Sequence, residues 1–451
     1  MHTSGYLPIG PFRHLDPTAV AEVALHESPL QLSPVGSGWP ETARDTLLLV
    51  RLHESPVGLV HIDRPPDHID ETCLADAIWD QAGNGILEHF DGCGRDDAPH
   101  DASAIRAGIG PSGRCCGSST PPDPGLSAAL IIPTAGRGDR LARCLDSLVS
   151  VARRDLEIII VDNAPGSGDV REVVTAAADR LHGIRYVPEP RPGSSVARNR
   201  GVAETEADIV AFTDDDVIVD PHWLDWLLAP FVADEVGCVT GMVLPLELET
   251  PAQKQFELYA GFSKGLDRRV YDLGANSASH RLLYPYWGGV FGSGNSMAFR
   301  RAALIGDGGF DPALGAGSVA LAGADIEALS AVVRRGDSLV YEPRSLCWHE
   351  HRRDEGALRR QVFNYGVGFT AILTKSMLRD RRFPRAVARS VPIAVELRKR
   401  RLSAQASTHA PALPQELARL QRRGMLRGPD HYLRSTRWAR SLGLDNAIKG
   451  R

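Results

Sequence analysis

Apolar and polar positions follow different periods along the chain, and the change of pattern near Ser127 divides it. Before that point two short apolar runs, Leu47-Leu48-Leu49-Val50-Arg51-Leu52 and Val57-Gly58-Leu59-Val60-His61-Ile62, bracket His53-Glu54-Ser55-Pro56. This spacing predicts a β-hairpin with a four-residue connection. The pentapeptide Leu-His-Glu-Ser-Pro at 52–56 also fills 25–29, a match too short to define a repeat. Leu74, Ile78, Ile86 and Leu87 predict a helix over 70–89, interrupted near Gly83 and Gly85.

From Ser127 onward, strand-like runs and helical patterns alternate. Residues 128–132, 156–161, 184–187 and 208–212 read as strands. Between them lie a helix capped by Asp139 with Leu141, Leu145, Leu148 and Ala152 on one face, a second with Val170, Val174 and Leu181, and a third over 194–203. Such crossover units imply an α/β domain: a mostly parallel sheet flanked by helices, with ligands expected beyond the carboxyl ends of the strands. The predicted divisions are a small α+β module of unassigned role over 1–120, the sheet domain over 126–375, and a basic helical extension over 376–451.

The strand ends carry polar residues. The first runs into Pro133-Thr134 and Arg137, the second into Asp162-Asn163, the third into Arg191-Pro192-Gly193-Ser194. The fourth, Ile209 to Phe212, stops at Thr213-Asp214-Asp215-Asp216. Alternation along an extended segment places Asp214 and Asp216 on one face and Asp215 on the other. Paired carboxylates at a crevice suit a hard divalent cation, which keeps open positions for phosphate. They equally suit an acidic turn ahead of the helix near Pro221.

Composition adds little to class and more to surroundings. With 451 residues, 43% hydrophobic and 24% charged, the chain is an ordinary candidate for two or three globular domains. No apolar run reaches the roughly 18 residues of a membrane span, and the start lacks a charged segment before an apolar core. Seven scattered cysteines predict a reduced, cytoplasmic protein. Cys93, His100, Cys115 and Cys116 follow no paired-ligand spacing and are read as linker. The net charge of −5 conceals an asymmetry: residues 375–451 hold 19 Lys/Arg and 5 Asp/Glu, while the remainder holds 32 and 51. Pro384 and Pro392 predict that no single long amphipathic helix forms there. A basic tail is either a solvated arm or a peripheral contact with an anionic membrane, and no nucleic-acid partner is expected.

The ordered motifs resemble the family 2 glycosyltransferases, inverting enzymes of the GT-A fold. The likeness is carried by Pro133-Thr134 with Arg137, Val161-Asp162-Asn163, Gly193-Ser194-Ser195-Val196-Ala197-Arg198-Asn199-Arg200-Gly201, and the aspartate triplet standing where that family has its DXD motif. Gly292-Ser293-Gly294-Asn295 resembles the glycine-rich acceptor strand, and Gly323-Ala324-Asp325-Ile326-Glu327 the acidic helix start that supplies a catalytic base. Ala324 stands where the family's first acid is common, so the resemblance gives the base to Asp325, with Glu327 as fallback. A helix cap would require an aspartate at the same place.

The resemblance covers about residues 127–375. It implies a nucleotide-sugar donor (UDP-, GDP- or dTDP-linked) bound by Pro133, Thr134, Arg137, Asp162, Asn163, Arg198, Asp214 and Asp215. It implies Mn2+ or Mg2+ held by Asp214, Asp216 and His349, and a saccharide, lipid-linked or peptide acceptor. Two other readings share these residues. Ala135-Gly136-Arg137-Gly138-Asp139-Arg140-Leu141 faintly resembles the signature of sugar nucleotidyltransferases, which would release pyrophosphate, and a nucleotide-sugar-binding regulator would bind without turnover.

Overall fold

The computed structural model describes residues 14–27, 29–36, 38–92, 94, 98–109, 121–151, 156–166, 168–277, 282–404 and 414–444. Cys93, Cys115 and Cys116 lie outside the described residues, and His100 is exposed.

The amino-terminal module is a four-stranded sheet, β1 (Thr18–Ala24), β2 (Ser33–Pro34), β3 (Asp45–Leu52) and β4 (Ser55–Ile62), in the order β2-β1-β3-β4. Helix α1 (Glu71–Gly92) covers one face, followed by the short α2 (Ala102–Arg106). The hairpin connection is tighter than expected: only His53 and Glu54 separate β3 from β4, both at positive φ (49° and 68°). Left-handed conformation at both positions matches the right-handed twist of the strands. Helix α1 runs through Gly83 and Gly85 without interruption. Gly85 serves close packing, since a Cβ there would lie 2.1 Å from the Val57 carbonyl oxygen.

Both faces of this small sheet are buried, which explains the unbroken apolar run in β3. Leu48 and Val50 face α1, whereas Val20, Leu47 and Leu49 join the core of the following domain beside Leu244, Leu246 and Leu248. Each such side chain contributes roughly 2 kcal/mol to holding the module in place. At its edge the buried Asp45 accepts from Thr18, lies 2.8 Å from His61 Nε2, and pairs with Lys254 Nζ at 3.4 Å.

The larger domain begins with β5 (Ala128–Thr134), α3 (Gly138–Leu148), β6 (Glu157–Asp162), α4 (Asp169–Ala177), β7 (Ile184–Pro188), α5 (Ser194–Ala203) and β8 (Ile209–Phe212). Then come β9 (Val217–Val219), α6 (Trp223–Leu228), β10 (Val236–Pro245), α7 (Pro251–Ala260), β11 (Arg269–Tyr271), β12 (Met297–Arg300), α8 (Arg301–Gly306), α9 (Ala324–Arg335) and β13 (Ser338–His349). The sheet order is β11-β13-β10-β12-β8-β5-β6-β7, with β9 paired to β13. Strands β8, β5, β6 and β7 are parallel, as are β10 and β13; β12 runs antiparallel between the two groups. One face is filled by α3, α4 and α6, the other by α9 and the amino-terminal sheet.

The basic carboxyl-terminal region forms α10 (Glu355–Arg379), α11 (Phe383–Ala404) and α12 (Gln415–Ser441). Contrary to the expectation from proline, α11 continues through Pro392. Helix α12 docks on α10 through glycine: a Cβ at Gly424 would lie 2.2 Å from the Phe363 carbonyl oxygen. Beside this contact, Lys375 Nζ sits 2.9 Å from Glu327 and 3.0 Å from Asp311, Arg334 reaches Glu327 at 2.8 Å, and the Tyr432 hydroxyl donates to Asp311.

Burial alone would raise the Glu327 and Asp311 carboxyls, yet Lys375, joined by Arg334 at Glu327 and by the Ala313 amide at Asp311, holds both below their ordinary values. Burial would lower the Lys375 ammonium, and the two carboxylates raise it instead. The carboxylate contribution to stability is therefore present above the ordinary carboxylate range and lost as pH falls through the depressed values. The lysine contribution is full below the ordinary lysine value and lost as pH rises through the raised one. Lys375→Met, which leaves two buried carboxylates facing each other, is expected to cost about 3–5 kcal/mol in urea unfolding at neutral pH. The deficit should shrink on acidification, because protonation removes the uncompensated charge; a pH-independent deficit would assign it to packing.

Candidate active site

Strand register assembles the site. β8 ends at Phe212, the aspartate triplet forms the turn, and β9 then pairs antiparallel with the end of β13, setting Val217 opposite His349. That pairing carries His349 to Asp216 from 133 positions downstream, a distance along the chain that no local motif spans. The segment His349-Glu350-His351 is buried, at 8%, 8% and 1% exposure, and is not a solvated turn.

Each aspartate has its own environment. Asp215 is wholly buried beneath the β5 end, accepting from Thr134 Oγ1 at 2.6 Å and pairing with Arg137 Nη2 at 2.6 Å. Burial, reinforced by Asp216, pushes its carboxyl up to about 7 despite Arg137. Its carboxylate anchors Arg137 and does not open onto the cleft. Asp216 Oδ2 meets Arg137 Nη1 at 3.0 Å and Arg140 Nη1 at 3.5 Å, and Oδ1 lies 3.4 Å from His349 Nε2. Burial acts to raise its carboxyl, but His349, Arg137 and Arg352 prevail and hold it well below the usual range. Asp214 is more open, bonded to Arg198 Nη2 at 3.0 Å and Asn295 Nδ2 at 3.2 Å; burial raises it above its ordinary value.

Asp216 and His349 fit a divalent cation: a carboxylate oxygen and an imidazole nitrogen close enough to share one ion, with the carboxylate held ionised. Asp214 belongs to a separate ion pair. Among the described residues no three His, Cys, Asp or Glu side chains converge as a ready-made site, so a bound ion would draw its remaining ligands from the phosphates of a nucleotide.

The other rim residues build the loops. Asp162 is buried, accepting from the Tyr186 hydroxyl at 2.9 Å and the Ala164 amide. Asn163 ties the β6 end to the next crossover, donating to the Glu189 and Arg191 carbonyls and accepting from the Gly193 amide. Pro133 lies within β5 opposite Val161. Arg140, one helical turn beyond Arg137, was not singled out from the sequence; with Arg143 it grips Glu350. The i, i+3 spacing of Arg137, Arg140 and Arg143 is the signal that could have found them.

Asp325 stands in the first turn of α9. The cap of α9 is Gly323, and no side-chain cap bond is made there. Asp325 instead reaches across to accept from the Gly294 amide at 2.9 Å. Glu327, two residues on, points into the buried Lys375 cluster. Gly294 leaves no spare room, since a Cβ would fall 3.0 Å from Asp325 Oδ2 and 3.2 Å from Arg198 Nη2. Gly294→Ala is expected to displace both side chains by a few tenths of an ångström and lower turnover roughly 10-fold, with thermal stability little changed. Steady-state kinetics beside a melting curve checks this, and unaltered kcat would show that the two side chains yield freely.

The Glycosyl transferase family 2 profile matches residues 129–305, from β5 into α8 and across the aspartate turn. The chain carries a family 2 glycosyltransferase domain. Over 228 residues it is 28% identical to a pre-mycofactocin glycosyltransferase of Mycobacterium tuberculosis, covering 49% of this chain and 42% of that protein. Over 106 residues it is 36% identical to a validoxylamine A glucosyltransferase of Streptomyces hygroscopicus subsp. jinggangensis, covering 22% and 24%. The chain thus spans less than half the length of these curated relatives. Among solved structures it is similar to a mannosyltransferase from Pyrobaculum calidifontis in complex with GDP-Man and Mn2+, with 18% identity, a TM-score of 0.43, and coverage of 70% of this chain and 89% of that one. The matched segment holds strands β5 to β12 and the aspartate turn, while β13, Asp325, His349 and the terminal helices lie beyond it.

Proposed function

We propose that this chain is an inverting glycosyltransferase that moves a sugar from a nucleotide-sugar donor to an acceptor hydroxyl. The observation that carries the reading is the placement of Asp325, a carboxylate freed from capping and held by Gly294, across from the aspartate turn of a family 2 domain. In this mechanism Asp325 accepts the proton of the acceptor hydroxyl as its oxygen attacks the anomeric carbon, and the bond to the nucleoside diphosphate breaks in line. Arg198 binds between Asp214 and the acceptor side, and Arg137 and Arg140 place positive charge beside the departing diphosphate. Asp216 and His349 would hold a divalent ion, Mn2+ or Mg2+, which when bound would supply Lewis-acid stabilisation of that leaving group.

The test is an assay across UDP-, GDP- and dTDP-sugars with saccharide, lipid-linked and peptide acceptors, scored by nucleoside diphosphate release and by the anomeric configuration of the product. Pyrophosphate release from a nucleoside triphosphate and a sugar phosphate would replace this reading with nucleotidyl transfer. Donor binding without release of either would make the chain a binding regulator.

The reading extends to peripheral contact with an anionic membrane. Among the described residues no helix is long and apolar enough to cross a membrane. The outward face of α12, however, carries Arg422, Arg423, Arg427, Arg434 and Arg437 around Leu426, which is 83% exposed. Each basic residue near such a surface is worth about 1 kcal/mol. Full-length protein is expected to sediment with anionic vesicles at low salt and be released as salt rises, and Arg422→Glu/Arg423→Glu/Arg427→Glu should remain in solution. Equal partitioning of the two proteins would remove α12 as a contact.

A further inference from the structure

The amino-terminal module is fastened to the back of the aspartate turn, at segments that hold Asp216 and His349 in register. One is the exit of β9. There Asp220, buried and four residues past Asp216, donates from its amide to the Leu346 carbonyl of β13 at 3.1 Å, and its Oδ1 accepts from the His222 amide at 3.0 Å. Its other carboxylate oxygen accepts from Arg51 Nη2, which comes from the module. Arg51 is the charged residue that interrupts the apolar run Leu47 to Leu52, and its Nε donates to Glu22 of β1 at 2.9 Å.

Another such segment is the exit of β10. Leu244 and Pro245 pair with Trp348 and His349, and the Leu246 amide donates to the His349 carbonyl at 3.0 Å. From the module, the Thr18 amide reaches the Leu248 carbonyl at 2.9 Å, while Val20, Leu47 and Leu49 share one core with Leu244, Leu246 and Leu248. Helix α7 is held in the same way. Lys254 Nζ donates to the Asp16 carbonyl at 2.6 Å and pairs with Asp45 at 3.4 Å, and Glu257, on the next turn of the helix, meets His351 Nε2 at 2.8 Å. Polar and apolar ties from the module thus converge on the strands and the helix that frame the turn.

The turn needs such a frame. Three consecutive carboxylates repel one another, and β9, which follows them, is only 3 residues long, so few ladder bonds to β13 fix the position of Asp216. Asp220 closes the far end of that short strand. An arginine suits the task, because its planar guanidinium engages two carboxylates at once and fixes the direction of both. An enclosed ion pair gains little net stability, since desolvation offsets the attraction, and what this one supplies is geometry. We propose that the module is a working part of the transfer site and that Arg51 is a positioning residue, setting the aspartate turn through Asp220. The inference rests on the proposed reading of that turn as the donor seat.

Native-state hydrogen exchange on the full chain tests the coupling without donor or metal. In the wild type under rising urea, amides of β3 and of residues 216–222 are expected to lose protection together, in a step that β5 and β6 outlast. A turn that opens in a step of its own, or only with β5 and β6, overturns the proposal. In Arg51→Met, exchange at 216–222 should quicken by about 10-fold or more while β5 and β6 keep their wild-type rates, and unaltered exchange at the turn also overturns it. In the assay of nucleoside diphosphate release, kcat per folded molecule should fall about 10–100-fold, the scale of a small misplacement of reacting groups. Arg51→Met/Asp220→Asn separates positioning from stability, because it leaves no unpaired buried charge. Its melting temperature should return toward wild type while the loss of kcat and the fast exchange remain. Recovery of kcat along with the melting temperature makes the pair structural and overturns the role of Arg51. If the single variant does not fold, the double variant and the wild-type exchange decide. If the wild type transfers no sugar, the donor reading falls, while exchange still settles whether the module sets the turn.

Discussion

Asp216→Asn is expected to abolish Mn2+-dependent binding of nucleoside diphosphate while leaving the protein folded. Asp216 supplies the ionised carboxylate next to His349 Nε2. Removal of a direct ligand should exceed the 10–100-fold that outer partners cost, so the dissociation constant in calorimetry should rise by more than about 10²-fold. Binding measured with the metal chelated should change far less. Two opposing effects protect the fold. The variant loses the pairing of Asp216 with Arg137 and His349, which stabilises above the ordinary carboxylate range and fades as pH falls through the depressed value. It also removes a charge that helps to push Asp215 up to about 7, which relieves that buried carboxylate. Unchanged metal-dependent affinity would exclude Asp216 from the cation seat.

The parts of this molecule that were legible in the sequence are those in which one element declares itself. Strands β5, β6 and β8 and helix α5 follow from apolar runs and helical spacing, because a parallel strand buried on both faces must be apolar throughout. The aspartates at the end of β8 were visible for the same reason, as an abrupt end to such a run. What was not legible depends on pairing between distant segments. The tight turn at His53-Glu54 lacks the Asn-Gly or Asp-Gly signal that normally marks left-handed residues, so the hairpin read as two residues longer. Gly83 and Gly85 read as an interruption of α1, although Gly85 permits close contact with Val57.

The basic tail shows the same limitation in electrostatic form. A count of charge gives 19 cations, but not that Lys375 is enclosed with Asp311 and Glu327 while the arginines of α12 face outward. Glu327 and Asp325 are likewise equivalent on paper, both in the first turn of α9. Helix geometry separates them: two residues correspond to about 200° of rotation, so one carboxylate turns to Gly294 and the other to the buried cluster. His351 and Glu257 are 94 positions apart, and only the meeting of α7 with the end of β13 brings them together.

Asp325→Asn is expected to bind donor almost normally and to lose turnover by about 10² to 10⁴-fold, the range contributed by a positioned general base. The substitution is a narrow one. Asparagine keeps an oxygen that can accept from the Gly294 amide, so the contact across the cleft survives and only the capacity to take a proton is removed. A base acts on the acceptor hydroxyl in the transition state, so kcat and kcat/KM should fall together while the donor Kd stays within a few-fold of wild type. Glu327→Gln provides the contrast. It disturbs the ion cluster with Lys375 and Arg334, so its defect should be a lower melting temperature, with kcat per folded molecule largely retained. Wild-type turnover in Asp325→Asn would exclude Asp325 as the base, and a loss of kcat confined to folded Glu327→Gln would move the role to the neighbouring carboxylate.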